Sequence, residues 1–267
     1  MIINSVFVAL WGRGEDYKDL DEIGANHFIL SESRINRENI KQFNKLKCKI
    51  GICVDCFGED GCPANPASFG KLRVKIDNAL KYKPNEIWLD HFRFDGRWEV
   101  RTQKLAKVHK ECKFCIKKSR FKVLLNIANK VRKYVPKNVE IGYFAVPFKH
   151  EEYSDLVTIL GQDHKLLAKY FDAISPMLYH RMIKKPISYI HEYVEYLYNL
   201  TNRPIMPIIQ IKDMPDSLVD KLSREEALSA AKEAVKPPSK GVIIFLWEHA
   251  VEKNKIHLLE EMLRVSL

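Results

Sequence analysis

Two carboxylates stand directly behind strongly apolar runs: Asp90 closes EIWLD, and Glu248 follows VIIFLW. A carboxyl group in that position lies at the mouth of a water-poor pocket, where burial raises one pKa while a hydrogen bond or a cation keeps another group ionised. Arg93 is the nearest candidate cation. Such an acid and base pair is what cleavage of a glycosidic bond needs. Other apolar runs also end in polar residues: Glu32 after Ser31, Asp55, Tyr179 with His180, Gln210, and Trp247 beside Glu248. Trp11, Tyr143, Tyr179 and Trp247 offer flat apolar faces on which a sugar ring could stack, core packing being the competing use of the same side chains.

The six cysteines all fall between Cys48 and Cys115. Cys112 and Cys115 form a CxxC pair, and Cys56 with Cys62 could complete a tetrahedral set of thiolates around a structural zinc. Cys56 and Cys62 are six residues apart, wider than a usual knuckle. Unbonded buried thiols and disulfides are the two alternatives, the latter less expected in a chain without a secretion signal. Cys53 lies inside an apolar run and reads as a packed side chain.

These residues need a scaffold that gathers strand ends. Apolar runs of strand length alternate with segments of helical spacing, the pattern of repeated βα units around a parallel sheet. Eight strands are expected: Ser5 to Trp11, His27 to Ser31, Lys49 to Asp55, Glu86 to Asp90, Glu140 to Val146, Ala173 to Tyr179, Ile205 to Ile211 and Gly241 to Trp247. Helices are expected at Tyr17 to Ile23, Asn39 to Leu46, Phe69 to Tyr82, Lys117 to Tyr134, Leu166 to Phe171, Ile187 to Leu200, Arg224 to Val235 and Lys253 to Val265. Eight units of this kind predict one (β/α)8 TIM barrel over residues 1–267, a length suited to a fold of about 250 residues. A doubly wound open sheet is the alternative, without a GxGxxG or P-loop motif to recommend it. The longest interruption, His91 to Cys115, follows the fourth strand at the end where barrels place their function.

Composition narrows the function classes. Hydrophobic residues make up 46% and charged residues 29%, enough for a large core and unlike a disordered chain. The net charge of +10, from 44 Lys and Arg against 34 Asp and Glu, is spread mainly over expected helix surfaces. Its densest stretch, Lys104 to Lys133, carries no RRM, KH or zinc-finger pattern, so a solvated helix face is preferred to a nucleic-acid partner. No apolar run approaches the roughly 18 residues of a membrane span. The first residues read as a strand rather than a secretion signal, which gives a cytoplasmic expectation.

IWLDHFRFDGRWE, CKFC, GYFAVPF, ISPMLYHRM and GVIIFLWEHA resemble, in order, segments of glycoside-hydrolase-like TIM-barrel proteins, over about Ile87 to Ala250. The resemblance implies a (β/α)8 fold and work on carbohydrate, with Asp90 matching the acidic position of strand four. Arg93, Tyr179, His180, Gln210 and Glu248 fall at further segments of that pattern.

The expectation is therefore a glycosidase acting on a carbohydrate substrate without a catalytic cofactor. Asp90 is its principal carboxylate, and Glu248, Asp55 or Glu32 its second acid. One alternative is a barrel that binds glycans or another ligand without turnover. Another is a metal-dependent hydrolase built on His91, His180 and Asp90, for which no HExxH or HxH motif speaks.

Overall fold

The computed structural model describes residues 2–10, 17, 20, 22–46, 48–58, 61–99, 104–107, 112–153, 156–214 and 219–265. Eight of its strands are parallel and form the barrel: β1 (Ile3–Val8), β2 (His27–Ser31), β3 (Lys49–Asp55), β4 (Glu86–Asp90), β7 (Glu140–Ala145), β8 (Ala173–Pro176), β9 (Ile208–Gln210) and β10 (Gly241–Phe245). The remaining two, β5 (Gly96–Glu99) and β6 (Lys104–Lys107), pair with each other as an antiparallel hairpin. The barrel strands run in the order β8-β7-β4-β3-β2-β1-β10-β9, and parallel bridges from Ile174 to Ile205 and from Met177 to Ile208 join the two ends. This ring excludes the open-sheet alternative.

Between the strands lie α1 (Arg37–Phe43), α2 (Ser68–Leu80), α3 (Arg120–Tyr134), α4 (Leu156–Leu160), α5 (His164–Leu167), α6 (His180–Ile183), α7 (Tyr189–Thr201) and α8 (Arg224–Val235), and after the last strand come α9 (Trp247–Glu252) and α10 (Ile256–Arg264). Asn36 caps α1 by accepting the N–H groups of Glu38 and Asn39, while Asn39 returns a bond to the backbone of Asn36. This reciprocal box satisfies donors that the first turn leaves unpaired. Helix α8 packs an alanine stripe, Ala227, Ala230, Ala231 and Ala234, flat against the sheet. No described helix is long and apolar enough to cross a membrane.

Two sequence expectations change. The interruption after β4 contains the β5–β6 hairpin, and α4 occupies a stretch expected to be a loop. Of the expected helix at Tyr17 to Ile23, residues 18, 19 and 21 lie outside the described residues, as does Trp11.

Side-chain alternation sorts each strand into an outward row under the helices and an inward row in the barrel. The inward cluster includes Phe7, Ile29, Cys53, Trp88, Phe144, Tyr179, Ile208 and Ile243. Trp88 forms much of the floor. An added Cβ at Gly142 would come within 2.5 Å of its ring, and one at Gly51 within 2.9 Å, so both neighbouring strands yield their side-chain space to the indole. Below it, Glu86 accepts the indole N–H at 2.7 Å, and His27 Nε2 lies 3.1 Å from the same carboxylate. Burial alone would raise the pKa of Glu86. The hydrogen bond and charge of His27, with help from Trp88 and Lys49, outweigh that and hold it at about 2.

Candidate active site

Strands β3 and β4 pair so that Asp55 and Asp90 are partners across the ladder. Each lies two residues beyond an inward-facing side chain, Cys53 and Trp88, so both carboxylates project at the barrel mouth by the period-two rule. His91 follows with φ +46, a left-handed conformation that histidine tolerates better than most residues. Its imidazole comes back across the strand ends, with Nδ1 2.8 Å from Asp55 Oδ1 and 3.8 Å from Asp90 Oδ2. Its backbone N–H donates to Asp90 Oδ1 at 2.7 Å. One residue thus touches both carboxylates.

The local chain is shaped around this contact. Gly58 donates its N–H to Asp55 Oδ1 at 3.2 Å, and a Cβ there would fall 2.8 Å from the same oxygen. Only glycine allows that approach without displacement. Lys75 reaches from α2 to the Asp55 carbonyl at 2.8 Å, and the Cys56 N–H donates to the Asp90 carbonyl at 2.9 Å. Buried Gln162 donates to the carbonyls of Phe92 and Phe144 and accepts the N–H of Val146, tying the segment after β4 to the end of β7. Sequence reading missed Gln162 because it follows a helix rather than a strand.

Electrostatics separate the two members of the pair. Burial works to raise the Asp55 carboxyl, but the hydrogen bond and charge of His91 prevail and hold it below its usual range. In return, the hydrogen bond that His91 donates to Asp55 lifts His91 above its ordinary value, against desolvation and with further help from Asp90. Arg93 is lowered by burial, opposed by Asp90, Asp95 and Asp55. Asp55, Phe57, Gly58, His91, Arg93 and Asp95 line an open cavity of about 350 Å³. Tyr179, in the inward cluster, has its hydroxyl pKa raised by burial first and then by Asp90 and Cys53.

The other candidates sit elsewhere. Both oxygens of Glu248 are occupied by the backbone after β1, accepting the Ala9 N–H at 3.0 Å and the Leu10 N–H at 2.6 Å. Glu32 begins a short 3-10 turn, where burial raises its pKa and Asn78, Lys75 and Lys81 of the α2 side oppose the rise. Tyr143 points outward: it is fully buried beneath the helices with its hydroxyl 2.9 Å from His164 Nδ1. Trp247 is likewise buried in the outer layer. His180 Nε2 lies 2.9 Å from Glu226, which also receives Arg181. Gln210 is buried and donates to the Lys212 carbonyl at 2.9 Å.

The metal-binding expectations divide. Among the described residues, the one group of ligand atoms close enough for an ion is the thiols of Cys62, Cys112 and Cys115. His91, Asp90 and His180 do not form such a group. Cys56 is separate, with its buried thiol directed to the Val54 carbonyl at 3.5 Å.

No protein-family model matches the chain, and no curated protein matches it. Solved structures do. The PgaB (BpsB) glycoside hydrolase domain from Bordetella bronchiseptica superposes with a TM-score of 0.70 at 9% identity, covering 98% of this chain and 99% of that one. A chitinase from Bacteroides thetaiotaomicron gives 0.64 at 14% identity, covering 98% and 96%. A GH18 chitinase variant from Cycas revoluta, solved with (GlcNAc)4, gives 0.64 at 8% identity, covering 97% and 99%. The chain therefore has the (β/α)8 barrel architecture found in glycoside hydrolases, GH18 chitinases among them. At these identities the likeness concerns the fold.

Proposed function

We propose that the protein is a glycoside hydrolase whose reaction takes place at the end of β3 and β4. The observation that carries this reading is the Asp55–His91–Asp90 cluster, whose Asp55 and His91 line the cavity of about 350 Å³. Asp90 is the proton-transferring carboxyl, giving a proton to the glycosidic oxygen and later taking one from water. Asp55, kept ionised by His91, attacks the anomeric carbon as its bond to the protonated leaving oxygen breaks, and water activated by Asp90 then displaces the Asp55 carboxylate from that carbon. Two carboxyls on neighbouring strands that share one imidazole suit the short spacing of about 5 to 5.5 Å used by retaining enzymes. Arg93 and Tyr179 supply polar contacts to sugar hydroxyls. Glu248 serves the barrel by holding the backbone after β1, and is not the second acid.

The test is turnover of a panel of chromogenic glycosides and of chitin-type and mannan-type oligosaccharides by the wild-type protein and by Asp90→Asn. Activity on at least one substrate is expected, with kcat lowered at least about 100-fold in a variant that still folds, as loss of acid and base function requires. Retention at the anomeric carbon is expected by NMR of the first product formed. Near-normal turnover by Asp90→Asn overturns the assignment, and glycan binding without turnover by the wild type overturns the enzymatic reading.

A further inference from the structure

The sulfur atoms of Cys62, Cys112 and Cys115 all lie within 4.8 Å of one another. They come from two separate segments, the loop between β3 and α2 and the turn that leads into α3. The CKFC turn is wound so that the N–H groups of Cys115 and Ile116 both donate to the Cys112 carbonyl, at 3.2 and 3.0 Å, which brings Cys112 and Cys115 to one side. The opposing cysteine is equally fixed, because the Cys62 carbonyl accepts the Asn65 N–H and the Ser68 hydroxyl, each at 2.9 Å.

We propose that these three cysteines bind one thiophilic divalent metal ion, of the zinc class, which fastens the β3–α2 loop to the start of α3. With metal–sulfur bonds of about 2.3 Å, a tetrahedral site separates its sulfurs by about 3.8 Å, a spacing within reach of this trio by small side-chain adjustments. A four-iron cluster attaches each cysteine to a different iron and spreads the sulfurs more widely. Cys62 and Cys115 are buried while Cys112 is partly exposed, so the fourth corner of the tetrahedron faces solvent and takes a water molecule. Cys56, directed to the Val54 carbonyl, is not a ligand.

The site has a structural consequence next door. The loop that it fastens begins just after Asp55, and its Phe57 and Gly58 form, with Asp55, one wall of the mouth cavity.

The experiment uses the full chain, purified under reducing conditions without chelator. Metal content is measured by plasma mass spectrometry, and protein stripped of metal is reloaded with Co²⁺ alone while thiolate-to-cobalt charge-transfer absorption is recorded. About one metal ion per chain and a strong charge-transfer band are expected. Cys62→Ser and Cys115→Ser should lose both, and Cys56→Ser and Cys48→Ser should keep both. The wild-type measurements decide the matter even if a variant fails to fold. Absence of stoichiometric metal together with absence of the band overturns the proposal. A disulfide within the trio, found by non-reducing peptide mass spectrometry of the freshly isolated protein, overturns it too. Loss of metal in a folded Cys56→Ser replaces the three-cysteine assignment with a four-cysteine one.

Discussion

Glu248, on the first turn of α9, accepts the backbone N–H of Leu10 at 2.6 Å, and Leu10 itself has a left-handed φ of +61. A leucine seldom adopts that conformation unless its surroundings impose it. Ala9 donates to the other oxygen of the same carboxylate, so a single side chain fixes the exit of β1 against β10. Glu248→Ala leaves two backbone donors in a mostly buried setting without their acceptor. Charge-assisted bonds of this kind are each worth about 1.5 to 3 kcal/mol, so a loss of about 3 kcal/mol in urea unfolding is expected. A loss below about 0.5 kcal/mol would show that the contact does not hold the turn.

The Asp55–His91 pair sets a pH window. Asp55 is lowered, so its contribution is present above its unfolded value near 3.8 and disappears as pH falls through its folded value. His91 is raised, so its contribution is complete below 6.5 and disappears as pH rises through its folded value above that. The pair is intact between those limits. Both side chains are about half exposed, so the effect on global stability is small and the informative measurement is local. Asp55→Asn should lower the His91 pKa seen by imidazole NMR. An unchanged titration would mean that the 2.8 Å contact does not form in solution.

A second titration lies at the floor of the barrel. Glu86 is held at about 2 against an unfolded value near 4.5, so its stabilisation is full above about pH 4.5 and is lost as pH falls towards 2. The shift corresponds to about 3 kcal/mol at neutral pH, as an order of magnitude. Glu86→Gln should therefore flatten the acid limb of stability against pH between those values. A variant with the same acid limb as the wild type would assign the effect to other carboxylates.

The close fit at Gly142 gives a packing test. A methyl group there meets the Trp88 ring at 2.5 Å, so Gly142→Ala should cost about 1 to 3 kcal/mol or more by overpacking. Trp88→Phe in the same chain should recover part of that cost, although it leaves Glu86 without its indole donor. Additive losses in the double-mutant cycle would show that the two residues do not compete for one space.

The barrel was readable because strands buried on both faces appear as uninterrupted apolar runs separated by helical segments. His27 to Ser31, Lys49 to Asp55 and Glu86 to Asp90 match the expected bounds. The same double burial hid which residues face inward. Tyr143 and Phe144 are equally apolar in the sequence, yet only Phe144 enters the barrel, while Tyr143 bonds His164 beneath the helices. Trp247 misled for a related reason, since the chain has left β10 and started α9 before reaching it. Counting in twos from Trp88 puts Asp90 on the inner row, in keeping with its expectation as the principal carboxylate beside the candidate Asp55. The occupation of Glu248 by backbone donors could not be anticipated, because it depends on a turn far away in sequence. Nor could the exclusion of Cys56 from the thiol trio, since spacing does not state where a sulfur points.

The indole floor also gives the molecule a direction. With Trp88 lying across Gly51 and Gly142, Phe144 tilted against it, and Phe7 linking Phe144 to Phe245, aromatic rings fill the barrel interior at this level and leave no passage through it. Whatever approaches Asp90 must arrive and depart through the same rim.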